Sequence, residues 1–365
     1  MISARPHKLV LGFAHWGKEK VSPIEMIQTV KLAVENGIDE IDCAPHYGNG
    51  AQEATLGTAL RDLPEDQLSQ LKISTKVGRI IDPNRQSENS NGFTNRSELA
   101  QSFDYSKKGI ELSFYQSQLR MCLPRVHAIY LHDMDEVTHK LNFKTHYTNF
   151  ITNGYTAFNE LKNNNKIEIT GIGSNDIAIC VHLIKEEQFK IDRIMIAGCF
   201  NLLDHSALNE LFPLCKKHHI QLYIAAPYAG GILSDPMNYF YKYEPASDEI
   251  KNRKQKLLTI CENFGIPLAH AAMQFVHAHP QVERVVVGAR TRKELESSLT
   301  YAKIPIKYEF WAALQAENLI SQDCLVYLTA GANNNEFLLA KFSQFANSSE
   351  VMPNNISQAN YKMRI

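Results

Sequence analysis

The chain lacks a basic run, and no aromatic residues are interleaved with its lysines and arginines. With 38 Lys+Arg against 39 Asp+Glu, and a net charge of −1, no field favours nucleic acid or an anionic membrane. No stretch approaches the roughly 18 uninterrupted apolar residues of a membrane span. The opening Met-Ile-Ser-Ala-Arg-Pro has no apolar signal region. Seven scattered cysteines form no C-x-x-C pair and no zinc-ligand spacing, and Cys43, Cys180, Cys199 and Cys215 fall in apolar segments as core residues. Fourteen histidines include no H-x-H at a strand end, and His277-Ala-His279 falls in the helix expected before the last strand. The expectation is a cytoplasmic protein in a reducing compartment, with no metal, nucleic-acid or membrane partner, whose oligomeric state the sequence leaves open.

What is present is alternation. Short apolar runs at Lys8–Phe13, Ile38–Cys43, Lys72–Val77, Ala128–His132, Glu168–Gly173, Arg193–Gly198, Gln221–Ala226 and Arg284–Gly288 read as strands. Most are continuously apolar, as strands covered on both faces are. Helical patterns fill the gaps: 22–36, 52–60, 107–120, 155–163, 175–187, 207–218, 247–264 and 292–301. The first opens with Ser-Pro and stops before Asn-Gly, sound start and stop signals. Eight β/α units predict a (β/α)8 TIM barrel with its site at the C-terminal strand ends. The alternative, an open doubly wound sheet, usually carries a glycine-rich phosphate turn after its first strand. Gly12-Phe-Ala-His-Trp-Gly is not such a turn.

Residues 1–320 are read as the barrel and 321–365 as a C-terminal extension, with an apolar stretch at Phe337–Phe345 expected to be a short helix and Ser348–Ile365 a frayed tail. The Asn/Ser-rich segment Ile81–Asp104 is read as irregular, either a lid over the site or a mobile surface insertion.

Asp42, Lys76 and His132 end three successive strands, and Tyr47 lies in the loop after the first of them. Moving a hydride to or from a carbonyl carbon requires a proton to move on its oxygen. A phenol can carry that proton if its pKa, ordinarily near 10, comes within reach. An ammonium beside it stabilises phenolate, and a carboxylate holds the ammonium in place. An imidazole can orient the substrate oxygen by a hydrogen bond. Each residue taken alone has an ordinary structural explanation; the four together at consecutive strand ends point to chemistry.

These residues resemble the aldo-keto reductases. The segment Ile41-Asp-Cys-Ala-Pro-His-Tyr-Gly-Asn-Gly-Ala-Gln-Glu-Ala-Thr-Leu-Gly is very close to that family's signature, and Thr75-Lys-Val and Leu131-His-Asp match its lysine and histidine motifs. The likeness runs from about Leu9 to Leu299. It implies a barrel oxidoreductase using NAD, with NADP as the alternative, and a small-molecule substrate. Tyr47 would be the acid/base, Lys76 and Asp42 its tuning pair, and His132 the orienting donor. Gly171-Ile-Gly-Ser-Asn implies Ser174 and Asn175 as holders of the nicotinamide amide, and Tyr228 is a substitute for the family's stacking aromatic. Val287-Gly-Ala-Arg-Thr-Arg-Lys-Glu-Leu implies Gly288, Ala289, Arg290 and Glu294 around the cofactor phosphates. Ser74-Thr-Lys-Val-Gly-Arg and Val286-Val-Gly-Ala-Arg are similar to the branch that oxidises free aldoses or pyridoxal, so sugar-to-lactone oxidation is the leading expectation. An NADPH-dependent aldehyde or ketone reductase and a non-turnover regulatory barrel are the alternatives.

Overall fold

Eight short parallel strands close on themselves in the computed structural model: β1 (Leu9–Gly12), β2 (Glu40–Asp42), β3 (Lys72–Val77), β4 (Ala128–His132), β5 (Ile169–Ser174), β6 (Arg193–Ala197), β7 (Gln221–Ala225) and β8 (Val282–Gly288). β1 pairs with both β2 and β8, completing the ring. The structure describes residues 8–17, 21–87, 92–186, 188–242 and 244–330.

Alternation along each strand sorts the side chains. Val10, Ala128, Tyr130, Met195, Tyr223 and Val286 form a small apolar cluster of their own inside the ring, while the main core lies between strands and helices. The interior is tight. A Cβ at Gly171 would lie 2.6 Å from the Arg193 carbonyl oxygen and 2.7 Å from the Tyr130 ring, so only glycine fits there. Cys43, Cys180, Cys199 and Cys215 are buried, as expected.

The helices obey their local signals. Ser22 accepts a hydrogen bond from Glu25 N to start helix Pro23–Glu35, and Gly37, at φ 84°, ends it. Asn175–Glu187 shortens to Ile177–Lys185, with Asp176 as its cap. The expected 207–218 helix splits into a 3-10 turn at Ser206–Leu208 and a helix at Leu211–Lys217.

One expectation is overturned in part. Ile81–Asp104 is not irregular throughout: Arg79–Gln86 and Leu99–Phe103 pair as an antiparallel hairpin, and its described connection 92–98 has no regular structure. Its polar composition hid it, because the far half of the first strand is solvated, the second is half-buried, and neither carries a continuous apolar run. The helix Gln322–Ala330 follows the barrel, and Tyr327 Oη donates to the Phe275 carbonyl at 3.0 Å. The stretch Phe337–Phe345 and the tail lie outside the described residues. Among the described residues, no helix is long and apolar enough to cross a membrane.

Candidate active site

Register brings the four chemical residues to one end of the barrel. Asp42 pairs with Ser74 across β2 and β3, which sets Lys76 one pleat above Ser74 on the same inner face. Lys76 Nζ donates to Asp42 Oδ2 at 2.5 Å and to the Cys43 carbonyl at 3.0 Å. Ser74 Oγ donates to the other carboxylate oxygen at 2.9 Å, a support that sequence reading missed although alternation places it inward. Asp42 and Lys76 are 2% and 3% exposed, so this ion pair is held away from water.

Tyr47 enters on a turn where Gly48, Asn49 and Gly50 all take positive φ. The Lys76 ammonium lies 4.7 Å from the centre of its ring, and the His132 ring stands at 90° to it with centroids 6.1 Å apart. Burial alone would lower the pKa of Lys76, but the Asp42 carboxylate and the Tyr47 phenol outweigh it and hold the ammonium above its usual range. For Tyr47 the balance differs from expectation. Burial raises its phenol, and the opposing pull of Lys76 does not bring it back to the ordinary value. Burial also pushes the His132 imidazole well below its usual pKa, so the ring is neutral near pH 7.

The hairpin walls this mouth. Phe93, in its connection, meets His46 edge-on with ring centroids 5.0 Å apart, and Gln101 Oε1 lies 3.0 Å from His46 Nδ1. Arg79 Nη2 donates to Asp133 Oδ2 at 2.7 Å beside His132. Sequence reading named none of these residues for the site.

The residues expected around a cofactor lie on the same rim. Ser174 ends β5, buried, and its Oγ accepts from Asp176 N at 3.0 Å; Asn175 is exposed beside it. Tyr228 Oη lies 2.8 Å from Ser298 Oγ on helix Arg292–Lys303, which holds the phenol end of its side chain. Gly288 ends β8, and Ala289 is buried. Glu294 accepts from Arg290 N at 2.7 Å and from Arg290 Nε at 2.9 Å. Glu25 accepts from Arg292 N at 3.0 Å. Two backbone N–H groups and two guanidinium groups at this helix start are each matched to a carboxylate. Such donors can also hold the phosphates of a dinucleotide, which would have to displace Glu25 or Glu294 or lie against them.

A profile described as the Aldo/keto reductase family matches residues 8–318. The chain belongs to the aldo/keto reductase family. A pyridoxal 4-dehydrogenase from Microbacterium luteolum is 34% identical over 301 residues, covering 79% of this chain and 86% of that protein. A D-threo-aldose 1-dehydrogenase from Pseudomonas sp. is 30% identical over 308 residues, covering 82% and 90%. In fold, an aldo-keto reductase from Bacillus halodurans in holo form superposes with a TM-score of 0.65 at 22% identity, over 86% of this chain and 92% of the other. This aldo/keto reductase is therefore an oxidoreductase of a family that uses nicotinamide cofactors.

Proposed function

We propose that this protein is an NAD-linked dehydrogenase that oxidises C1 of a free aldose, or an equivalent hemiacetal, to the lactone. The observation that carries the reading is the buried Asp42–Lys76 pair at 2.5 Å with its ammonium 4.7 Å from the Tyr47 ring centre. The bound nicotinamide would take the hydride from C1. As C1–H breaks and C1=O forms, the hydroxyl proton passes to Tyr47 Oη, which must be phenolate at that moment. Lys76 is the group placed to stabilise that charge, and Asp42 with Ser74 keeps Lys76 aimed. Neutral His132 donates a hydrogen bond to the substrate oxygen. Ser174 and Asn175 hold the nicotinamide amide, with Gly288, Ala289, Arg290 and Glu294 at the phosphate end. The names of the two relatives support a sugar or pyridoxal substrate. The pairing of Arg290 with Glu294 and of Arg292 with Glu25 supports NAD over NADP.

One observation favours a second reading. Burial keeps Tyr47 as a phenol at rest, the proton-loaded form that reduction of an aldehyde or ketone needs. The test offers NAD and NADP separately with a panel of aldoses and pyridoxal, then NADH and NADPH with aldehydes. Aldose-dependent NAD reduction that vanishes in Tyr47→Phe supports the dehydrogenase. Turnover only with NADPH and aldehydes replaces it with the reductase, and cofactor binding without turnover replaces both with a regulatory barrel.

A further inference from the structure

The His132 imidazole is neutral, so it carries a single N–H, and which nitrogen holds that proton decides what the ring can donate. Two features of its surroundings bear on the choice. Asp133 Oδ2 lies 3.4 Å from His132 Nε2, close enough to attract a proton there and too far to consume the N–H in a strong bond. His132 Nδ1 is buried with no hydrogen-bond partner among the described residues. A proton on Nδ1 would be an orphaned buried donor, which costs more than an orphaned lone pair. Both features select the proton on Nε2.

Asp133 is itself held in an unusual state. Its φ is 47°, a left-handed conformation that a non-glycine residue adopts at a cost of about 1 kcal/mol or more. Its backbone N–H donates to the Gly173 carbonyl at 3.0 Å, and its carboxylate receives Arg79 Nη2 at 2.7 Å. Arg79 is 7% exposed, with its guanidinium carbon 4.6 Å from the centre of the Phe103 ring, its partner across the hairpin. The Ser113 hydroxyl fixes its backbone by donating to the Arg79 carbonyl at 2.7 Å. Arg79 thus has little freedom, and through it neither does Asp133.

We propose that Arg79 and Asp133 are positioning residues: the pair locks His132 in the tautomer with its proton on Nε2, the nitrogen that then donates to the substrate oxygen. The lock is a property of the protein alone, whereas its use in turnover rests on the reading under Proposed function. In triads and metal sites the carboxylate takes the opposite ring nitrogen; here it stands beside the donating nitrogen itself and works by attracting the proton there, because the wrong tautomer presents a lone pair where a donor is needed.

The experiment is nitrogen NMR of the full chain labelled at histidine, with His132 assigned through His132→Gln. The wild type should show a neutral ring protonated at Nε2. Asp133→Gly keeps the left-handed conformation and removes the acceptor beside Nε2, so a population protonated at Nδ1 should appear. With a substrate in hand, Asp133→Gly should lower kcat at least about 10-fold with a smaller change in KM. Arg79→Lys, which keeps the cation, should retain more turnover than Arg79→Met. A wild-type ring protonated at Nδ1, or an unchanged tautomer in Asp133→Gly, overturns the lock whatever the activity. A confirmed lock in a protein without turnover overturns instead the proposed function.

Discussion

Glu40 and Asp42 stand two residues apart on β2, and each meets its own buried cation: Arg193 at 2.8 Å and Lys76 at 2.5 Å. Alternation sends both carboxylates inward, one to the floor of the barrel and one to its mouth. Tyr130 and Tyr223 complete the floor pair by hydrogen bonds at 3.1 Å to Arg193 and 2.9 Å to Glu40. The upper pair has Tyr47 and His132 above it. The same chemistry is thus used twice, once enclosed and once at the opening.

The upper pair separates stability from chemistry. Lys76→Met strands a buried carboxylate with only the Ser74 hydroxyl, which should destabilise the fold by roughly 3–5 kcal/mol. Asp42→Leu with Lys76→Met removes both charges and should recover much of that loss, since a buried pair replaced by apolar groups is often neutral. Turnover should stay depressed by about 10²–10⁴-fold in both variants. Urea unfolding and kcat read the two effects, and a double variant as active as the wild type removes the pair from the mechanism.

The floor pair should show the opposite pattern. Tyr223→Phe takes the donor from Glu40 Oε2 and should cost about 1–3 kcal/mol, while Arg193→Met should cost roughly 3–5 kcal/mol. Neither residue contacts Tyr47, so kcat of the folded fraction should be largely retained. Thermal unfolding alongside kinetics checks this.

How much of this was legible in the sequence follows from where each partner lies along the chain. Asp42, Tyr47, Lys76 and His132 sit at strand ends within local motifs, and parallel topology gathers strand ends on one face. Ser74 was also within reach, because it shares the inner face with Lys76. The Glu40–Arg193 contact joins residues 153 apart, and Glu25 meets Arg292 across 267. Those pairs exist only because β1 closes on β8, and no local pattern announces them. The hairpin escaped for another reason: its strands carry no continuous apolar run, so Phe93 and Gln101 looked like loop, while Arg79, at the end of Ser74-Thr-Lys-Val-Gly-Arg, carried no assigned role.

The buried histidines predict an acid-labile fold. Burial, with Arg79 nearby, lowers His46 from 6.5 to about 4, and burial holds His132 well below its usual range. The unfolded chain therefore binds protons that the folded one refuses between about pH 6.5 and 4. Stability rises with pH across that window and is lost as pH falls through it, by at most about 1.4 kcal/mol per unit for each such ring. Above pH 7 these groups contribute no slope. The urea midpoint should drop between pH 7 and about pH 4.5, and His46→Gln should flatten the drop; an unchanged slope in that variant sinks the assignment.

Cofactor choice should turn on two carboxylates from opposite ends of the chain. Glu294 closes on Arg290 through both its backbone N–H and its guanidinium group. Glu25, held below its usual pKa by the Arg292 backbone N–H, takes the donor at the helix start. The 2′-phosphate of NADP would have to displace one of these carboxylates or lie against it, whereas the ribose hydroxyls of NAD can donate to them. The wild type should bind NADH more tightly than NADPH. Glu25→Gln and Glu294→Gln should each narrow the gap by on the order of 10-fold, about 1.4 kcal/mol, by strengthening NADPH binding and leaving NADH binding little changed. Fluorescence titration with each reduced cofactor measures this without turnover. Equal affinities in the wild type would show that the carboxylates yield to phosphate readily, and the preference for NAD would fall.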